Sequence, residues 1–340
     1  MNGYQRISAA MRGERADTVP IMLHNFMMAA REAGVTMREF RSQPEAIARS
    51  FIQAIETYGY DGVGVDVDTT TLAGAVGVPV DFPEDEPARC YGRRLKNLEE
   101  VDDLEPVDIL RYHGVQVWLE GVRQLVRHFG SEIYVRGNCD QCPFNLAALM
   151  CSIDDWMVAL TDDANLERVH RLLDYTTGVT TQFLRLMAAT GAHMLSNGDS
   201  LASPDLISPR LYRDFALPYE QRIAAVAHEL GLPYVLHICG KTDRILSDMV
   251  RTGADGLDLD YKTDVRLAHD VLLDRTTFIG NIDPSGVLAR GTPQLVEQTT
   301  RELLEVFKDT PRFILNAGCA IPSTTPPENI RALMQTAREA

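Results

Sequence analysis

Residues 233–260 read PYVLHICGKTDRILSDMVRTGADGLDLD. Two short β-rich runs, Pro233–His237 and Gly256–Leu259, flank a stretch with helical spacing, the order expected of strands that pair in parallel. The same beat continues in both directions. Val19–Leu23, Gly62–Val67, Ile133–Gly137 and His193–Asn197 precede this unit, and Thr277–Gly280 and Arg312–Leu315 follow it. Helix signals fall between the runs. Ser208-Pro209 opens a helix reaching about Leu230, with Gly231 to close it, and Thr292-Pro293 opens another. Thr325-Pro326-Pro327-Glu328 reads as a capping box. Eight strands with intervening helices fit a single α/β domain over 1–340, a (β/α)8 TIM barrel, better than an open sheet. No GxGxxG follows the first run, which weakens a dinucleotide-binding reading. Residues 1–17 read as a short helical extension capping the lower end.

The 340 residues, 45% hydrophobic and 24% charged, suffice for a large core without disulfide staples. A net charge of −15 argues against nucleic acid or an anionic membrane as partner. No apolar run is long enough for a transmembrane helix, and the first 20 residues lack the apolar core of a signal peptide. The six cysteines are scattered. They read as reduced thiols of a cytoplasmic protein, so a cluster among them points to metal or catalysis.

Polar groups stand where the strands end: His24-Asn25, Asp66 and Asp68, Asn138, Asn197 and Asp199, His237 and Cys239, Asp258 and Asp260, Asn281 and Asp283, Asn316 and Cys319. TIM barrels build their sites from these ends. Any one position is explained equally well by loops being polar; the set argues for a shared site. His237 and Cys239 lie two residues apart in extended chain, so both face one way and suit one ion. A third ligand must come from elsewhere, and Cys319, after the eighth strand, is the candidate if the loops converge over the barrel mouth. Gly318 beside it permits backbone geometries that other residues resist. A Cys2His set with one open position is a catalytic zinc site. With two thiolates it carries no net charge, which favours alkyl transfer to sulfur. The same open position also suits polarising a departing methyl ether oxygen.

At these residues the chain resembles the uroporphyrinogen decarboxylase superfamily, and within it the cobalamin-dependent zinc methyltransferases acting on methanol, methylamine, chloromethane or methoxyaromatic groups. ADTVPIML, GDSLASPDLISPRLYRDFALPYEQRI, LHICGKTDRIL and NAGCAIPSTTPPENIRAL carry the resemblance. It implies zinc on His237, Cys239 and Cys319. It also implies a role as fourth ligand for Asp260, which is one methylene shorter than the family's usual Glu. Asp199 falls at the family's pocket mouth, or alternatively caps the Ser200–Ser203 turn. Asp199 and Asp260 are thus the candidate catalytic residues; His24, Asn25, Met27, Asp66, Asn138 and Asn281 are the candidate substrate contacts.

The decarboxylases of the superfamily resemble one another in an Arg-rich segment, RQAGR. This chain has HNFMMAAREAG there, with Asn25 and Ala29 in place of two arginines, so a polyanionic tetrapyrrole lacks its guanidinium partners. The run Phe26-Met27-Met28 suits an apolar substrate or a corrin face, or is core filler. Cys139-Asp140-Gln141-Cys142 lacks a second CxxC or CxxH, so it reads as no metal site, though one thiol could line the pocket. A corrinoid-binding chain would show Asp-x-His-x-x-Gly, and the look-alike ending at Gly240 has Val235 where Asp belongs. The corrinoid is therefore expected on a partner protein. The reading is a methyltransferase exchanging methyl between that corrinoid and a small donor or acceptor. Its rivals are a metal-free decarboxylase and a non-catalytic barrel holding zinc or a small ligand.

Overall fold

The computed structural model describes residues 1–339. Eight parallel strands form one sheet: β1 Met22–Leu23, β2 Gly62–Val65, β3 Tyr134–Gln141, β4 Met194–Gly198, β5 Tyr234–Ile238, β6 Gly256–Leu259, β7 Thr277–Ile282 and β8 Phe313–Ala317. Each pairs with the next in chain order. The ring closes where Ile21 bridges Leu315 and Leu315 N donates to the Pro20 carbonyl at 2.9 Å. The fold is the expected (β/α)8 barrel.

The strand bounds shift from those expected. The Val19–Leu23 run shortens to β1 because Pro20 has no N–H to give a ladder. The second run stops at Val65, and β3 extends four residues past Gly137. Its pairing with β4 slips between Asn138 and Gln141, where Asp140 adopts a left-handed φ of 59°. Such a bulge at the rim of a barrel re-aims side chains.

The N-terminal helix, Gly3–Arg12, starts at a capping box of Asn2 with Gln5 and ends at Gly13, φ 74°. Its Ile7, Ala10 and Met11 form a buried cluster with Met22, Tyr134, Met194, Val235, Ile279 and Ile314, one residue from each of six strands. The helix therefore plugs the lower end of the lumen, and the cavity inside the barrel lies towards the strands' C-terminal ends. The larger core lies between the strands and the surrounding helices, where Trp118 Nε1 donates to the Val65 carbonyl at 3.1 Å and fixes one helix to β2.

Ser208 caps its helix by accepting from Leu211 N at 3.2 Å. The helical run to Glu229 includes a wide π turn at Tyr212–Ala216, just before Pro218, whose missing N–H the loosened ladder accommodates. Thr292 caps as expected. The capping box at Thr325–Glu328 does not form. Two consecutive prolines delay the helix to Pro327, and the buried Thr325 Oγ1 has no hydrogen-bond partner among the described residues. The sequence also gave no sign of a hairpin between β2 and β3, Val80–Asp81 with Arg89–Cys90.

Candidate metal centre and substrate cavity

β5 ends in His237-Ile238-Cys239. The Nδ1–H of His237 donates to the Asp258 carbonyl on neighbouring β6 at 2.8 Å, which leaves Nε2 free as a ligand. Nε2 lies 3.1 Å from Cys239 Sγ, and that sulfur lies 3.8 Å from Cys319 Sγ on the loop after β8. The donor atoms of all three residues fall within 4.8 Å of one another, the only such group among the described residues. Two zinc–sulfur bonds of about 2.3 Å at a tetrahedral angle would hold their sulfurs about 3.8 Å apart. The sulfur pair thus fits a zinc ion; the imidazole sits slightly closer to Cys239 than the bound geometry requires.

The loops converge through a close approach. Gly318 lies so near the loop after β6 that an added Cβ would meet Tyr261 N at 2.3 Å. The need for glycine is thus one of space, rather than the unusual backbone conformation expected. Asp260 staples the same region, its Oδ2 accepting from Gly240 N and its Oδ1 from Lys262 N, each at 2.9 Å. Both oxygens are engaged with the backbone, and Asp260 does not join the three-residue group. One methylene shorter than Glu, it braces the ligand loops instead.

The electrostatics match a metal-binding set. The hydrogen bond from Cys319, aided by His237, draws the Cys239 thiol down to about 3 against the opposing effect of burial. Cys319 moves up because it keeps the proton it donates to Cys239 and because it is buried. Burial opposes a charge on His237, but the adjacent Cys239 sulfur and Asp258 raise it to about 10.

The centre opens into a cavity of about 390 Å³ lined by His24, Phe26, Met27, Asp66, Asp68, Arg136, Asn138, Asp140, Leu149, Leu201, Asp258 and Asn316, among others. Of the expected substrate contacts, His24, Met27, Asp66 and Asn138 are brought together here, with His24 Nε2 2.9 Å from Asp66 Oδ2. Asn25 is not: it is fully buried, donating to Tyr60 Oη at 3.2 Å. Nor is Asn281, which donates to the Asp260 carbonyl at 3.1 Å. Met28 is core filler, whereas Phe26 and Met27 face the cavity.

Asp199 neither lines the cavity nor caps the Ser200–Ser203 turn. Its Oδ1 accepts from Asn145 N and its own N–H donates to the His237 carbonyl, both at 2.8 Å, so it holds the ligand strand from behind. Burial and the nearby Glu220 raise Asp199 well above the usual carboxylate range; burial raises Glu220 to about 7. Cys139 and Cys142 are buried outside the cavity, and burial raises both thiols, so they are inert.

Sequence reading missed Arg136. Its Nη1 lies 2.6 Å from Asp258 Oδ2 and its Nε donates to Ser196 Oγ at 2.8 Å, tying β3, β4 and β6 across the lumen. A lone charge inside the apolar run IYVRG was the available signal.

A family model described as uroporphyrinogen decarboxylase (URO-D) matches residues 3–340. The chain belongs to this family. Similar members include the methylcobamide:CoM methyltransferase MtbA of Methanosarcina acetivorans, 28% identical over 98% of this chain and 97% of that protein. A methylated-thiol–coenzyme M methyltransferase of Methanosarcina mazei is 26% identical over 100% of this chain and 90% of that one. A uroporphyrinogen decarboxylase of Alkalilimnicola ehrlichii is 28% identical, covering 98% of this chain and 93% of its own length. The solved structure of a methyltransferase from Methanosarcina mazei matches with a TM-score of 0.90 at 26% identity, covering 100% of this chain and 99% of that one. The family and the methyltransferase kinship expected from the zinc-type motifs both agree with these relatives. No helix among the described residues is long and apolar enough to cross a membrane.

Proposed function

We propose that this protein is a cytoplasmic, corrinoid-dependent methyltransferase that binds zinc. It exchanges a methyl group between a small substrate, a thiol acceptor or a methoxy or methylamino donor, and a corrinoid carried by a partner protein. The observation that carries the reading is the meeting of His237 and Cys239, at the end of β5, with Cys319, on the loop after β8, at one wall of the cavity. Relatives named for methylcobamide and methylated-thiol chemistry support it.

His237, Cys239 and Cys319 would hold the zinc. The chemistry supplied by zinc when bound to two thiolates and an imidazole is that of a soft Lewis acid, which deprotonates a thiol at neutral pH and leaves its sulfur nucleophilic. The chain's own residues do the rest. Phe26, Met27, Leu149 and Leu201 give the reacting methyl an apolar wall that excludes water. His24, held through Nε2 by Asp66, would take the proton leaving a thiol or supply one to a leaving oxygen. Arg136 and Asp258 fix the carbonyl that orients His237. The decarboxylase reading is disfavoured by the same cavity, since Arg136 is its only Arg or Lys and four carboxylates share the lining.

The test joins metal analysis to cobalt spectroscopy. Purified protein is expected to hold one zinc per chain. With cob(I)alamin or methylcobalamin and panels of thiol, methoxy and methylamino compounds, one pairing should change the cobalt spectrum. Cys239→Ser should abolish both zinc and turnover. A zinc-free variant that remains active refutes the reading.

A further inference from the structure

Arg136 is the one Arg or Lys among the cavity's lining residues, and Asp258 lies against it at 2.6 Å. His24 faces Asp66 at 2.9 Å. Asp68 and Asp140 form no ion pair among the described residues. Asp140 is satisfied as a hydrogen-bond acceptor, by Leu72 N at 2.7 Å and Gln141 Nε2 at 2.9 Å. Asp68 is not. Its Oδ1 accepts from Thr70 N and from the Thr70 and Thr71 hydroxyls at 2.8–3.2 Å, while its Oδ2 has no hydrogen-bond partner among the described residues. Asp68 lines the cavity yet is only 4% exposed, so this oxygen faces little bulk water. Arg41, within electrostatic reach of Asp68, spends its guanidinium on the carbonyls of Pro83 and Glu86. Burial raises both carboxyls, and at Asp140 the charge of Asp68 adds to the effect, as expected where negative charge lacks a counterion.

An anionic substrate would find the free Nη2 of Arg136 and the amide of Asn138. Asp258 on the same guanidinium cancels that attraction, and three more carboxylates share the wall. We infer that the cavity selects a substrate carrying an ammonium group, held by Asp68, over one carrying a sulfonate or carboxylate. The inference rests on the methyl-transfer reading and sets this chain apart from relatives named for coenzyme M, a sulfonated thiol. The chain's net charge of −15 draws cations in the same sense.

Three thiols on the same two-carbon chain carry a positive, a neutral and a negative end group: 2-aminoethanethiol, 2-mercaptoethanol and 2-mercaptoethanesulfonate. Their affinities for the zinc-loaded full chain are measured by calorimetry and corrected for each thiol's own ionisation. The ammonium thiol is expected to bind about tenfold more tightly than the neutral one, the effect of one charge-assisted hydrogen bond, and the sulfonate most weakly. Asp68→Asn keeps the Oδ1 that the Thr70 and Thr71 groups need and should bring the ammonium-to-neutral ratio close to one. A sulfonate that binds as well as the ammonium, or a ratio untouched in Asp68→Asn, overturns the inference and leaves methyl transfer standing. If no thiol binds, the acceptor form of the reading fails instead. A sulfur-free arm then decides the charge question: trimethylammonium, and not methanesulfonate, should raise the melting temperature of wild type but not of Asp68→Asn. Stabilisation by neither ion, or by the sulfonate, refutes the inference.

Discussion

Gly318→Ala tests whether close packing of loops makes the metal centre. The added methyl would sit 2.3 Å from Tyr261 N and 3.0 Å from the Asp260 carbonyl carbon. Ordinary contact between such atoms is about 3.5 Å or more, so the loops must part by roughly 1 Å. Both obstructing atoms are backbone and braced by Asp260, so the Cys319 loop is the part that yields. A shift of that size exceeds the roughly 0.5 Å tolerance of a preorganised site. Zinc affinity, read by competition with a chromophoric chelator, should fall about 10–100-fold, the range seen when supports of a metal site are lost. Overpacking should also cost about 1–3 kcal/mol of stability in denaturant unfolding. Serine at 318 should behave like alanine, since both bring the same Cβ. A variant that holds zinc as tightly as wild type would refute the argument that this contact brings Cys319 to the pair on β5.

Arg136→Met leaves Asp258 charged and unpaired in the lumen. It should cost about 3–5 kcal/mol in chemical denaturation, with much of that recovered when Asp258→Leu is added; equal losses in the single and double variants would contradict a coupled pair. Burial raises Glu220 to about 7 from the 4.5 ordinary for its carboxyl. A carboxyl raised in the folded state contributes stability that is full below its unfolded pKa and is lost as pH climbs through the folded one. Melting temperature should therefore fall between about pH 4.5 and 7. Glu220→Gln, able to donate to Asp199 while still accepting from Tyr212, should flatten that decline. An unchanged slope in the variant would remove Glu220 as its source.

Local patterning determined much of this protein. Eight apolar runs at regular intervals were enough for the barrel, because parallel strands buried on both faces leave a strong and redundant signal. His237 and Cys239 were legible as a pair because side-chain direction repeats every two residues along a strand. Motif resemblance then pointed to Cys319. Tertiary structure decided which polar residues reach the cavity. Asn25, Asn281, Asp199 and Asp260 sit at strand ends just as Asp66 and Asn138 do. Strand periodicity ends there, however, and bulges, turns and local hydrogen bonds set each direction. The three ligands meet because Gly318 lets one loop lie against another, a contact between residues almost sixty positions apart. Arg136 and the unpartnered Asp68 acquire meaning only from neighbours on other strands. Charge balance inside a barrel is a sum over side chains that the chain order keeps apart.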